Sequence, residues 1–412
     1  MKTGRHPGPP AAPLPPVARV AAMDVLRGLA LLGILLMNLE GFAGPPAQAG
    51  TGIDPAWRGL DRWADAAIYV LVQGKFVALF SLLFGAGFAA MAARAEREGW
   101  SLERVWLRRC IGLLLIGLAH ALLLWSGDIL VTYALCGLVL LAFGEVLGGL
   151  LAWIGMAVFL IPAGVALLTG LAESALAGSA QWQHALQAQA AHVAETTRAQ
   201  VLAYGHGDFS MATAQRLRDL GQSLSVLPVT GAQVLGLFLI GPWLGQVLAR
   251  PQAHARALAW MRQGALPLGL GMSLLSVWLA PWIAPGRADL RAGLAAALML
   301  AASLPLCLGY IGWILRWLAH PGSARLAGLL AAAGRLALSN YLLQSLVCVT
   351  VFYGYGMGAF GLGRAWQVAL GLGLFALQLL VSRWWLAHAT MGPAEWLLRA
   401  LTYGRAPRRQ IG

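Results

Sequence analysis

The sequence predicts an all-α fold: a polytopic membrane helix bundle of about ten transmembrane helices, with both termini cytoplasmic. Three observations lead there. Hydrophobic residues make up 59% of the 412 positions and charged residues only 11%, against roughly 25% charged in a soluble domain. Apolar stretches of about 20 residues, long enough to cross a bilayer, recur along nearly the whole chain. Arginines gather in alternate connections, as the positive-inside bias requires.

Residues 1–20 are Pro-rich and basic and read as a disordered cytoplasmic tail. The bundle occupies 21–390, with spans near 23–42, 74–93, 106–125, 129–143, 150–170, 226–248, 264–284, 293–315, 334–353 and 366–388. Ala47-Gln48-Ala49 resembles a signal-peptidase site, but Asp24 and Arg27 within the apolar run and Pro45-Pro46 behind it favour a retained first span. Stretch 57–72 reads as a short helix at the outer interface, where Trp57, Trp63 and Tyr69 fit. Small residues at Gly85, Gly87 and Ala89 allow close helix packing.

Arg94, Arg97, Arg104, Arg108 and Arg109 lie in one connection. Arg250, Arg256 and Arg262 lie in a second, and Arg316, Arg325 and Arg335 in a third. The opposing loops are sparser, which puts the arginine-rich side in the cytoplasm. Residues 171–225 form an outer insert; QWQHALQAQAAHVAETTRAQVLAY lacks Pro and Gly and should be an amphipathic helical hairpin. His184, His192 and His206 there have no i, i+4 pairing for a metal. Residues 391–412 give a cytoplasmic interfacial helix, with Glu395 four residues before Arg399, and a basic tail.

The net charge of +13 does not indicate nucleic acid, because the bases flank hydrophobic spans. Cys110, Cys136, Cys307 and Cys348 lie within spans and read as small buried hydrophobes. No metal site is read. There is no Walker A loop, HExxH or GxSxG, so ATP-driven transport, zincin proteolysis and ordinary hydrolase chemistry lack support.

Polar residues inside the spans are the candidates for chemistry. In MDVLRGLALLGILLMN, Asn38 lies about 20° and Asp24 about 60° around the helix from Arg27, a stripe about 21 Å long. It reads either as a functional face or as a rim ion pair plus an amide that binds helices together. In HALLLWSGDILVTYAL, a tight turn near Ser126-Gly127 joins two spans, so His120 and Tyr133 share a depth and Asp128 begins the return. Histidine changes protonation near neutral pH and can serve as a general base; a buried packing histidine is the plainer reading. In SNYLLQS, Asn340 with Gln344 and Tyr341 with Ser345 repeat at i, i+4 and form a broad hydrogen-bonding face. Lys75 heads GKFVALFSLLFG and reads first as snorkelling to the interface, with binding of an anionic group as the alternative.

The segments DVLRGLALLGILLMN, GKFVALFSLLFGAGF, LIGLAHALLLWSGDILVTYAL, AYGHGDFSMATAQRL, GRLALSNYLLQSLVCVTVFYGYGMGAFG and GPAEWLLRALTYG run in order from 23 to 404. Together they resemble the YeiB-like bacterial membrane proteins, the domain of unknown function numbered 418. That family is distantly similar to the transmembrane acyltransferase superfamily, through Asp24-x-x-Arg27-Gly28 to Asn38 and the Phe-rich second span. The resemblance implies a multi-pass protein of the bacterial inner membrane that takes an acyl group from cytoplasmic acyl-CoA to an envelope glycan or small-molecule acceptor. It implies that inner-face arginines hold CoA phosphates, Asn38 bonds the acyl carbonyl, His120 deprotonates the acceptor and Asp128 sets its tautomer. Asp24, Arg27, Lys75, Tyr133, Asn340, Tyr341, Gln344 and Ser345 line the substrate site in this reading. One departure stands: GFAGPPAQAGTGIDPAWRG lacks the histidine that the acetyltransferases carry after the first span, so His120 would substitute from another helix. A transporter with Asp24, Arg27, Asn38, His120 and Gln344 along a permeation path, and a scaffold that binds a partner through 171–225, are the other readings.

Overall fold

The computed structural model describes residues 16–143 and 148–404, and among them it is helical with no strand. Helix α1 (Pro16–Ala43) begins within what the sequence assigns to the tail, and residues 1–15 lie outside the described residues. Then come α2 (Gly59–Leu71), α3 (Lys75–Glu98), α4 (Leu102–Leu123) and α5 (Leu130–Leu140). Next are α6 (Gly148–Phe159), α7 (Ile161–Leu176), α8 (Ala180–Gln200), α9 (Phe209–Ser225) and α10 (Leu227–Ala249). The C-terminal part holds α11 (Ala255–Trp260), α12 (Leu266–Leu279), α13 (Leu290–Leu318), α14 (Ala324–Arg335), α15 (Ala337–Phe352), α16 (Arg364–His388) and α17 (Pro393–Tyr403). The basic tail with Arg405, Arg408 and Arg409 lies outside the described residues.

Among the described residues seven helical stretches are long and apolar enough to cross a membrane, or eight if the pair α14–α15, bent by 81°, counts as one. The expected spans at 129–143 and 264–284 correspond to the shorter helices α5 and α12. The expected span at 334–353 is not straight: Arg335 ends α14 and Ala337 begins α15 in a new direction. Stretch 57–72 joins α3 through a turn in which Gly74 has φ of 76°, a left-handed conformation that favours glycine. Trp63 in α2 is exposed, but Tyr69, expected beside it at the interface, is buried.

Helix α1 is the central rod, packing against α3, α14, α15 and α16. Its seam with α14 is set by two glycines. A methyl at Gly28 would stand 2.1 Å from the Leu330 carbonyl oxygen, and one at Gly334 would stand 1.9 Å from that of Asp24. Such backbone-to-backbone contact replaces side-chain interdigitation where lipid supplies no hydrophobic drive. Gly85 plays the same part between α3 and α10, whereas a side chain at Gly87 would meet nothing within 4 Å. The four cysteines are free and buried.

Candidate functional site

A cavity of about 550 Å³ lies where α1, α3, α4, α5, α15 and α17 converge, within the roughly 300–1,000 Å³ usual for ligand sites. Arg27, Arg109, Arg335, Arg399 and Tyr403 line one end, and the exposure of Arg335, Arg399 and Tyr403 opens it to the surroundings. Buried Tyr133 and Tyr341 close the other end. Between them the wall is apolar, from Leu31, Ile34, Phe80, Leu83, Leu113 and Leu130.

The charges of this cavity are unbalanced. Arg27 is paired with Asp24 at 2.8 Å. Among the described residues Arg109, Arg335 and Arg399 have no ion-pair partner. Arg109 instead sits over the Phe84 and Trp106 rings, at 5.9 and 6.0 Å. The lining carboxylate, Glu395, is already engaged. It accepts the Leu338 and Ser339 amides at 2.7 and 3.0 Å and so caps α15. The expected i, i+4 pair with Arg399 is therefore replaced by a helix cap, because the free amides at the head of α15 are better partners than an exposed guanidinium. Three uncompensated arginines at an open end favour an anionic ligand.

Beyond the closed end lies the His120–Asp128 pair. The antiparallel hairpin α4–α5 brings His120 Nδ1 within 2.8 Å of Asp128 Oδ1, with both side chains about 1% exposed. The other carboxylate oxygen accepts the Val131 amide at 2.7 Å and caps α5. Nε2 of His120 is buried and has no hydrogen-bond partner among the described residues, and a buried polar atom left unpaired costs stability. Tyr341 stacks obliquely on the imidazole, ring centroids 5.0 Å apart, and also lines the cavity.

The other predicted residues divide. Asn38 continues the Arg27, Leu31 and Ile34 face of α1, four residues past Ile34 and about 6 Å further along. It is partly exposed and makes no hydrogen bond among the described residues. Tyr133 reaches the cavity, but its hydroxyl pairs with Ser81 at 2.7 Å and not with His120. Lys75 does not snorkel. It is fully buried, with Nζ donating to the Tyr69 carbonyl at 3.2 Å and touching Met299 Sδ at 3.1 Å. Asn340 donates to Ser382 at 2.9 Å, and Gln344 to Gln378 at 2.8 Å, joining α15 to α16. Ser345 bonds the Tyr341 carbonyl within its own helix. These three face α16 or their own backbone and lie outside the cavity wall.

Sequence reasoning missed a buried network where the 171–225 insert docks. Asp219 accepts Tyr204 Oη at 2.6 Å, Gln215 Nε2 at 2.8 Å, Gln200 Nε2 at 3.0 Å and Ser126 Oγ at 3.2 Å. Burial, then the neighbouring Tyr353 and the Asp219 carboxylate, push the Tyr204 phenol well above its ordinary range, so it stays protonated and donates. Ser126 lies two residues before Asp128, so the insert is tied to the turn that carries the dyad.

Residues 245–405 match the family described as "Protein of unknown function (DUF418)". The chain is 32% identical over 405 residues to "Uncharacterized protein YeiB" of Escherichia coli (strain K12), covering 93% of this chain and 96% of that one. The chain belongs to the DUF418 family. A second relative, "Uncharacterized protein YxaH" of Bacillus subtilis (strain 168), is 30% identical over 406 residues, covering 93% of this chain and 94% of that one. The DUF418 match itself takes in Arg335, Tyr341, Glu395 and Arg399, while α4 and α5, which flank the His120–Asp128 pair, precede it.

Proposed function

We propose that this DUF418 protein is a multi-pass acyltransferase of the bacterial inner membrane, with the arginine-lined end of the cavity in the cytoplasm. The observation that carries this reading is the His120–Asp128 pair, whose unpartnered Nε2 lies one side chain away from a cavity with uncompensated arginines. Arg109, Arg335 and Arg399 hold the phosphates of an acyl-CoA substrate, and Asn38 bonds the acyl carbonyl oxygen. Nε2 of His120 takes the proton of an acceptor hydroxyl as the oxygen attacks the thioester carbon. The C–S bond then breaks, and the imidazolium returns the proton to the CoA thiolate. Asp128 keeps Nδ1 protonated and steadies the imidazolium. General-base assistance of this kind contributes about 10²–10⁴-fold to rate. The test is purified protein in lipid nanodiscs given radiolabelled acyl-CoA and envelope glycan fractions. Label should pass to an acceptor in wild type and fall by that factor in His120→Gln; absence of label on protein and acceptor alike overturns the reading.

The 81° break between α14 and α15 favours a second reading. Broken helices that line a cavity are common in transporters. Proton-coupled flux of a small anion in liposomes, with no CoA binding, would establish that alternative.

A further inference from the structure

We infer that Tyr341 is a gate: its ring is the barrier between the arginine-lined cavity and the His120–Asp128 pair, and it swings into the cavity to join them. The inference rests on the reading of His120 as the base.

Four observations carry it. The Tyr341 ring lies 5.0 Å from the imidazole and is part of the cavity wall, whereas His120 and Asp128 are not. The two members of the dyad are sealed, each about 1% exposed, so a reactant in the cavity has no contact with Nε2 in this conformation. The Tyr341 hydroxyl is buried beside Asp128 and the Ile129 backbone, with no partner at full hydrogen-bond geometry. A rotation of the ring therefore gives up only loose polar contacts to Asp128 and Ile129. Space for the moved ring exists, because the cavity of about 550 Å³ lies directly on its other side. A buried phenol is normally fixed by its hydroxyl partner; one held so loosely, beside a void, is fixed mainly by packing.

Anchoring is arranged to match. Glu395 of α17 fixes the amides of Leu338 and Ser339, one turn before Tyr341, so the backbone under the gate is pinned while its side chain is not. Closure keeps water from the base until a substrate fills the cavity, which protects a thioester from hydrolysis.

The test reads accessibility directly. The full chain in nanodiscs is treated with diethyl pyrocarbonate, and carbethoxylation of His120 is followed by peptide mass spectrometry, with the other seven histidines as internal references. Wild type, Tyr341→Phe and Tyr341→Trp keep the ring and should protect His120. Tyr341→Ala should react at least about tenfold faster, and so should Tyr341→Leu, which keeps most of the apolar volume should the alanine variant fold poorly. Equal His120 reactivity in wild type and both ring-deleted variants, whether fast or slow, overturns the gate. The base reading fails separately, through transfer activity that survives His120→Gln. A gated His120 with no role in transfer and a catalytic His120 without a gate are thus distinguishable.

Discussion

Replacing Lys75 by Met should make this protein more stable. Lys75 is fully buried at the head of α3, among the described residues it has no carboxylate in ion-pair range, and its Nζ meets one carbonyl and one thioether. A lysine in the apolar part of a membrane helix costs about 2.5–3.5 kcal/mol on insertion scales, less toward the helix end. The single Tyr69 carbonyl bond returns about 1–1.5 kcal/mol. Methionine has the same reach, is unbranched and would pack beside Met299 without a polar atom to satisfy. The expected gain is about 1–2 kcal/mol, which for a chain of this size raises the thermal midpoint by about 1–2 °C. The assay is thermal unfolding in a fixed detergent, followed by the intrinsic fluorescence of the 17 tryptophans. A midpoint lowered by about 3 °C or more would refute the reasoning, since it would mean that two weak contacts outweigh desolvation. A raised midpoint together with lost transfer would show that the amine is kept for chemistry at the expense of stability.

Asp128→Asn should lower acyl transfer by about 10²–10⁴-fold, the range for loss of base function and tautomer control. Its melting midpoint should change little, because the amide oxygen can still accept from Val131; unchanged turnover would dismiss the dyad. Gly334→Ala should cost about 1–3 kcal/mol by overpacking the α1–α14 seam. Gly87→Ala, facing open space in a helix, should gain about 0.5–1 kcal/mol, so paired melts with shifts of the same sign would contradict the seam. Asp219→Ala leaves four buried donors without their acceptor, at about 1–3 kcal/mol for each one unsatisfied. Hydrogen exchange should then quicken across 200–219 while α1 and α3 keep their protection; uniform exchange across the molecule would contradict local docking.

Local sequence logic reached as far as pairs within one hairpin. The tight turn at Ser126-Gly127 put Asp128 on the chain beside His120, but sorting by distance from the turn set Tyr133 opposite His120, where the structure pairs His120 with Asp128. The partner of Tyr133, Ser81, sits on α3, 52 residues away. Lys75 looked like an interfacial cation because the residues that bury it, Met299 among them, come from α13. The Asn340 and Gln344 stripe was legible as polar. That it faces Gln378 and Ser382 of α16 was not, since either amide could equally have faced a substrate. Glu395 illustrates a competition between rules: an i, i+4 partner lay within its own helix, but the free amides of α15 won. Tyr204 stood in the segment AYGHGDFSMATAQRL and Asp219 two residues past its end, and a tyrosine and an acid among otherwise small residues were the available hint of a buried bond.

The docking of Glu395 onto α15 makes the far C-terminal segment an internal strut of the arginine-lined cavity. A truncation placed before Pro393 would uncap a helix 57 residues upstream and loosen the floor beneath Tyr341. Fusion partners and affinity tags joined close behind Tyr403 would load the same strut, so the benign place for such additions is elsewhere on the chain.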